Sequence, residues 1–450
     1  MTINSYPFLN LTFAAFLCVA PNLSAWAEGV ASWEKLKEAT KGTFETEYLG
    51  YADGSEHEST RHFFASKLKL DWSIPLSDHL LLELVPSFRV DNADRTGSTW
   101  SFDEKDLVRP GATFETAVIN YLGDDLSLSI GKQHLAWGKG DLYSPTDKLN
   151  PSDLLDLPGS EKLSVTSIAA EYLGRSFSTQ WVVIPSFVPN RIPGRSNRWA
   201  RSTAPLQAAA TEALNFTPEI AIQPRRLPVD ASDELQYGLQ LTTSSMIPGW
   251  DFELSYFKGL DSEGVLEREL AANELKLTRI FPKFEQWGLG FSTTAGDFEI
   301  HGEAAWHYTD VPDFDDDYLT YVLGGRYSFY NVELWQEVEE VSITLEYASE
   351  DILRDRTQGS AYLRTGFGRA LKNAMLTRIN FKFSEEAALE FNASYNLDDE
   401  GYSTQLKITH RPTDYLEFSG SLESFGGSAD SFFGEWSNND RFSFLMAYHF

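Results

Sequence analysis

Glu299, His301, Glu303 and His307 stand at alternate positions of one short stretch, FEIHGEAAWHY (Phe298–Tyr308). In an extended chain such residues share one face, with same-face neighbours about 7 Å apart. Imidazole and carboxylate are zinc ligands, but one strand alone spaces them too widely for a tetrahedral shell. We therefore read the set as polar lining, with no metal and no cofactor expected. Neither a G-x-S-x-G elbow nor an H-E-x-x-H zinc helix occurs. The single cysteine, Cys18, falls in a segment expected to be removed, so thiol chemistry and disulfides are excluded from the mature chain. No enzymatic activity is expected, although dispersed acid–His or Ser–His sets of outer-membrane enzymes leave no spacing to read.

Charge is concentrated elsewhere. WGKGDLYSPTDKLNPSD, Trp137 to Asp153, is the most motif-like stretch of the chain. Its X-Pro pairs force extended or turn geometry, and its acids can close Asx-turns. Asp141, Asp147, Lys148 and Asp153 are the candidate pore-lining groups here; equally, Trp137 and the prolines can pin the segment to a wall. Further on, RIPGRSNRWAR puts Arg191, Arg195, Arg198 and Arg201 within eleven residues. Guanidinium is a rigid fork for carboxylate or phosphate. Such a run can face the acids of the first segment across a constriction, or, on an external loop, pair with acidic neighbours or lipopolysaccharide phosphates. Arg225 and Arg226 extend the basic set, and Pro205–Asn215 predicts a short helix between them.

The elements that must position these groups are strands. Period-2 alternation runs from end to end: Phe64, Leu68, Leu70, Trp72 and Ile74 share one parity, as do Phe298, Ile300, Ala304, Trp306 and Tyr308, and Leu389, Phe391, Tyr395 and Leu397. The opposite parity is polar. A soluble sandwich alternates too, but many of these strands approach ten residues, and Trp and Tyr gather near strand ends. Short turns at Pro75–Asp78, Gly123–Asp125, Gly174–Arg175, Ile247–Gly249, Ala295–Asp297, Asn331–Glu339, Ser384–Glu386 and Arg411–Asp414 alternate with longer polar loops. Eight short turns imply nine hairpins. The expected fold is all-β, a transmembrane antiparallel up-and-down β-barrel of 18 strands, or 16 if Leu275–Thr294 or the region near Asn331 is misread. The third long loop then spans 135–162 and the fourth 187–234.

The N-terminus carries an apolar core, Phe8–Ala20, then Pro21 and Ala25-Trp26-Ala27, which fits small-x-small cleavage. Residues 1–27 are expected to be a signal peptide, and 28–42 a short amphipathic segment that lies in the periplasm or plugs the barrel. The barrel is expected over 43–450. The C-terminus ends RFSFLMAYHF, with Phe442, Phe444, Met446, Tyr448 and Phe450 on one parity.

This last strand resembles that of bacterial outer-membrane β-barrels. The resemblance implies outer-membrane localisation and makes Phe442, Phe444, Tyr448 and Phe450 an insertion signal read by the barrel-assembly machinery. Trp137–Asp153 resembles a W-G-x-x-D…P-x-D-x-L-N-P-x-D pattern in a poorly characterised family of proteobacterial barrels, akin to porins and alginate-export barrels. That resemblance implies an inner-membrane permease partner and a role in envelope lipid or hydrophobe transport. The porin likeness implies instead a channel for small polar or charged solutes.

The formal net charge of −29 argues against nucleic acid as a partner. It suits divalent bridging to lipopolysaccharide, or simply soluble loops. Among wall positions on the polar parity, Glu83, Glu299, Glu303, Glu346, Glu390, Glu417 and Glu423 outnumber Lys67, Lys69, Arg89 and Lys407, so weak cation preference is expected.

Overall fold

The computed structural model describes residues 40–450 apart from 56, 230, 310, 334–336 and 365–366. The expected signal peptide and most of the expected 28–42 segment lie outside them; Thr40–Gly42 already belong to the first strand.

Eighteen strands form one closed antiparallel barrel. In chain order they are β1 (Thr40–Tyr51), β2 (His62–Ser77), β3 (Leu80–Asp91), β4 (Ala112–Leu122), β5 (Leu126–Gln133), β6 (Val165–Leu173), β7 (Phe177–Ile184), β8 (Gln236–Ile247) and β9 (Trp250–Leu260). The second half runs β10 (Lys283–Ala295), β11 (Phe298–Tyr308), β12 (Asp317–Glu333), β13 (Glu337–Arg354), β14 (Asn373–Ser384), β15 (Ala387–Asn396), β16 (Tyr402–Thr413), β17 (Leu416–Gly426) and β18 (Arg441–His449). Each pairs with its chain neighbours, and β18 returns to β1 from Thr43↔His449 to Tyr51↔Arg441. The strand number and all eight short turns are those read from the alternation.

Closure is needed because a sheet edge cannot face hydrocarbon with its N–H and C=O groups unpaired. Gly42 and Phe450 exchange two backbone hydrogen bonds of 2.8 and 3.0 Å at the seam. The Phe450 ring lies where a Cβ of Gly42 would stand. Phe442, Phe444, Tyr448 and Phe450 all point outward, each more than two-fifths exposed. The same outward parity holds around the barrel, in Trp306, Leu345, Ile408 and Leu422 for example. This apolar band has no internal partner and is matched by lipid tails. Among the described residues no helix is long and apolar enough to cross a membrane.

The long loops build a second layer at their own end of the barrel. Strands Glu219–Ile222, Glu274–Ile280, Val265–Ala271 and Tyr362–Arg364, from loops four, five and seven, form a four-stranded sheet. Helix α1 (Ala204–Leu214), expected over 205–215, packs Leu206 and Ala210 onto Ile220, Leu275 and Leu277 of that sheet. The hairpin Val265–Ile280 alternates as a wall strand would but belongs to loop five, and the wall strand β10 starts only after Pro282, at Lys283. Trp199, Phe425, Trp436, Leu49, Tyr51 and Phe63 make a further buried cluster that ties loops four and nine to β1, β2 and β17.

Candidate functional site: a loop clasped across the lumen

Loop three, residues 134–164, turns into the barrel. Its Leu135, Trp137, Leu149 and Leu163 bury against Val165, Ala169, Val182, Ile184, Phe257 and Phe284, the inward residues of β6, β7, β9 and β10. At these positions the inward parity is apolar, unlike the polar lining elsewhere. Trp137 Nε1 donates to Gln180 Oε1 at 2.7 Å. Asn150 joins the two ends of the loop: its Oδ1 accepts from Leu135 N at 2.9 Å and its Nδ2 donates to Leu163 O at 2.7 Å.

Two wall glutamates hold the tip. The Glu303 carboxylate accepts from the backbone N–H of Lys139 (2.7 Å), Gly140 (2.9 Å) and Thr146 (2.6 Å), and from the hydroxyls of Ser144 (2.9 Å) and Thr146 (2.6 Å). Glu346 accepts from the N–H of Asp141 (2.8 Å), Leu142 (3.0 Å) and Tyr143 (3.1 Å). Successive N–H groups of a tight turn make a concave donor nest that suits one carboxylate. Gly138 adopts φ +111°, and a side chain there would run into Ser144 Oγ and the Glu303 carboxylate. This is the physical reason for W-G-K-G: the turn must present its N–H groups at close range. His301, fully buried, brings Nε2 to 2.7 Å from Glu346. It reaches across β12 at Gly324, where a Cβ would stand 2.5 Å from Glu346 Cγ and 2.7 Å from His301 Nε2.

The far half of the loop meets loops two and four. Asp153 binds Arg109 through both oxygens (2.8 and 3.1 Å) and Arg191 at 2.6 Å. Arg191 also reaches Glu104 at 2.9 Å, and Lys132 binds Glu104 at 3.1 Å. Burial pushes the Asp153 carboxyl up, but Arg109 and Arg191 outweigh it and hold the group down to about 2. Glu104 is likewise lowered: burial opposes, while Lys132 and Arg191 prevail. Further along, Asp156 binds Arg441 of β18 at 2.7 Å, and Glu161 binds Arg89 of β3 at 3.1 Å. Loop three thus contacts opposite sides of the wall.

Between it, loop two and β2–β4 lies a cavity of about 240 Å³. Its charged lining includes Lys67, Arg89, Arg109, Lys162 and Arg191 together with Glu104, Glu115, Asp153 and Glu161. Most are paired, including Lys67 with Glu115 at 2.8 Å and Lys162 with Asp147 at 3.2 Å.

Of the loop-three acids and loop-four arginines singled out in the sequence, Asp153 and Arg191 meet. Asp141 is exposed at the tip; Asp147 and Lys148 are half-buried on the same loop. Arg195 is exposed and donates to Ile220 O at 2.8 Å. Arg198 stacks over Tyr51 at 3.4 Å and donates to Asp53 O at 3.1 Å. Arg201 binds Glu435 at 2.9 Å, and Arg226 binds Glu267 at 3.0 Å. The basic run therefore fastens loop four to several neighbours, and one of its members reaches the lumen acids. Glu303 and Glu346 carry the clasp, a role with no local sequence signal because their partners lie far away in the chain.

Residues 114–433 match the sequence profile of a family described as "Protein of unknown function (DUF1302)". The chain belongs to this family. No curated protein matches it. Among solved structures, it is similar to Wzi of Escherichia coli, described as an outer-membrane protein involved in group 1 capsule assembly and a carbohydrate-binding β-barrel. The TM-score is 0.50 at 10% identity over 91% of this chain and 84% of that one. OccK11 (OpdR) of Pseudomonas aeruginosa gives 0.49 at 10% over 91% and 95%, and OccD3 (OpdP) of the same organism 0.48 at 9% over 92% and 91%. At such identities the likeness is one of fold: the DUF1302 chain has the architecture of outer-membrane barrels.

Proposed function

We propose that this DUF1302 protein is an outer-membrane channel for small polar or charged solutes, without enzymatic activity. In this reading the short turns and both termini face the periplasm, residues 1–27 are cleaved, and the outward aromatics of β18 serve assembly. The observation that carries it is the clasped third loop. A segment folded into a barrel lumen and pinned there by Glu303 and Glu346 narrows the path through it, and the charged cavity beside β2–β4 adjoins that segment. The wall of β14–β16 carries Arg378, Asn392, Gln405 and Lys407, polar groups that suit a path for polar solutes.

Selectivity follows from pairing. The five cations and four acids of the cavity nearly balance, with Lys162 paired to Asp147 beside it, so the excess wall acids dominate and leave a weak cation preference, which high salt screens. Reversal potentials across planar bilayers in asymmetric salt test this: a small cation-selective potential supports it, and none or an anionic one refutes the charge argument. A second reading, a non-conducting barrel that serves an envelope lipid or hydrophobe system with a permease, is favoured by one fact. Loop three touches the wall on opposite sides. Absence of any conductance would select that reading.

A further inference from the structure

Glu299 and His301 stand two residues apart on the lumen side of β11, and the tip of loop three brings Asp141 to them. One imidazole nitrogen and one carboxylate oxygen from each acid lie within 4.8 Å of one another. We propose that Asp141, Glu299 and His301 form a binding site for a transition-metal divalent cation, with Zn²⁺ as the fitting type. The site needs no open pore, so it stands apart from the channel reading.

One strand alone spaces its ligands too widely, as the sequence indicated; a ligand from the loop removes that objection. Carboxylates by themselves suit Ca²⁺ or Mg²⁺, whereas an added imidazole shifts preference to Zn²⁺ and its neighbours. His301 is fully buried, with Nε2 at 2.7 Å from Glu346 and no hydrogen-bond partner on Nδ1. Metal-bound imidazoles regularly direct their other nitrogen to a carboxylate, which fixes the ring and the tautomer. Glu346 would fill that role, and three loop-three N–H groups hold it in place. Arg326 engages Oε2 of Glu299 at 2.9 Å, leaving Oε1 for a metal. Asp141 is exposed, and its backbone N–H, not its carboxylate, binds Glu346. Ligand atoms of a tetrahedral Zn²⁺ at about 2.0–2.1 Å stand roughly 3.4 Å apart. The set must close by at most about 1.4 Å, a movement that an exposed aspartate on a loop helps to supply. A bound ion would then clasp the loop at a third point beside Glu303 and Glu346.

The test uses the untagged barrel in detergent, stripped with chelator and titrated calorimetrically with Zn²⁺. A parallel titration with Co²⁺ reads ligand-field absorption. The expected result is one ion per chain, with Asp141→Asn and Glu299→Gln each weakening it by about tenfold or more. Asp147→Asn, a loop-three acid paired with Lys162, should bind like the parent. The proposal is overturned if the parent binds no ion, or if both site variants bind as tightly as the parent. Folding of each variant is checked by its resistance to unfolding in SDS, so a lost site is distinguished from a lost barrel.

Discussion

Replacing Glu303 by glutamine keeps the size of the side chain but removes its charge and turns one acceptor into a donor. Five loop-three donors converge on this carboxylate at 2.6–2.9 Å. The amide oxygen of glutamine can serve about half of them, and two or more buried donors then face an N–H₂ group. Each buried donor without a partner costs about 1–3 kcal/mol. Undocking of residues 139–146 should thus become easier by about 3 kcal/mol, or roughly a hundredfold in population at about 1.4 kcal/mol per tenfold. The barrel ladder is untouched, so the loss should be confined to the loop. Hydrogen exchange resolved by segment is the assay: amides of 139–146 should lose roughly a hundredfold of protection, while those of β11 and β13 keep theirs. Single-channel records of the same variant should become noisier. If loop protection is unchanged while the variant folds, Glu303 is not the anchor, and the clasp argument fails.

The remaining predictions concern the junction of loops two, three and four. Arg191→Ala should destabilise it by about 3 kcal/mol, the low end for a broken buried ion pair because Arg109 and Lys132 still serve Asp153 and Glu104. Arg195→Ala, in the same basic run but exposed, should stay within about 0.5 kcal/mol; urea titration of loop proteolysis compares the two, and equal effects would sink the distinction. Acid should release the same junction. Asp153 is held at about 2 against an ordinary 3.8, so its contribution is complete above that ordinary value and is lost as pH falls through about 4 to 2. Protection of residues 104–113 should fall in that window and be intact at pH 5; loss already at pH 6 would point to another group.

How far the sequence spoke can be judged from particular residues. The alternation of Phe298–Tyr308 put Glu299, His301, Glu303 and His307 on the lumen side because a strand offers only two faces, and lipid selects between them. The turns were legible for a similar reason: Gly, Pro and Asp punctuate a pattern that otherwise repeats. Loop three was visible as a motif, and Gly138 explains its glycine spacing, but its partners were not. Glu303 and Glu346 read as ordinary polar lining, since a contact between distant segments leaves no mark on local period. The arginine run left two readings open for the same reason. Four guanidiniums close in sequence suggested one basic wall, yet Arg195, Arg198 and Arg201 each take a different partner. The sheet of 219–222, 265–280 and 362–364 escaped notice because its strands belong to three separate loops.

The account rests on loop three narrowing a conducting path, and single-channel conductance tests that most directly. The parent is compared with a chain in which residues 138–148 are replaced by a short Gly-Ser linker. The account predicts discrete channels in the parent and a larger conductance once the segment is gone. A parent that does not conduct until the segment is removed would make loop three a plug, and equal conductance in both would remove it from the path altogether.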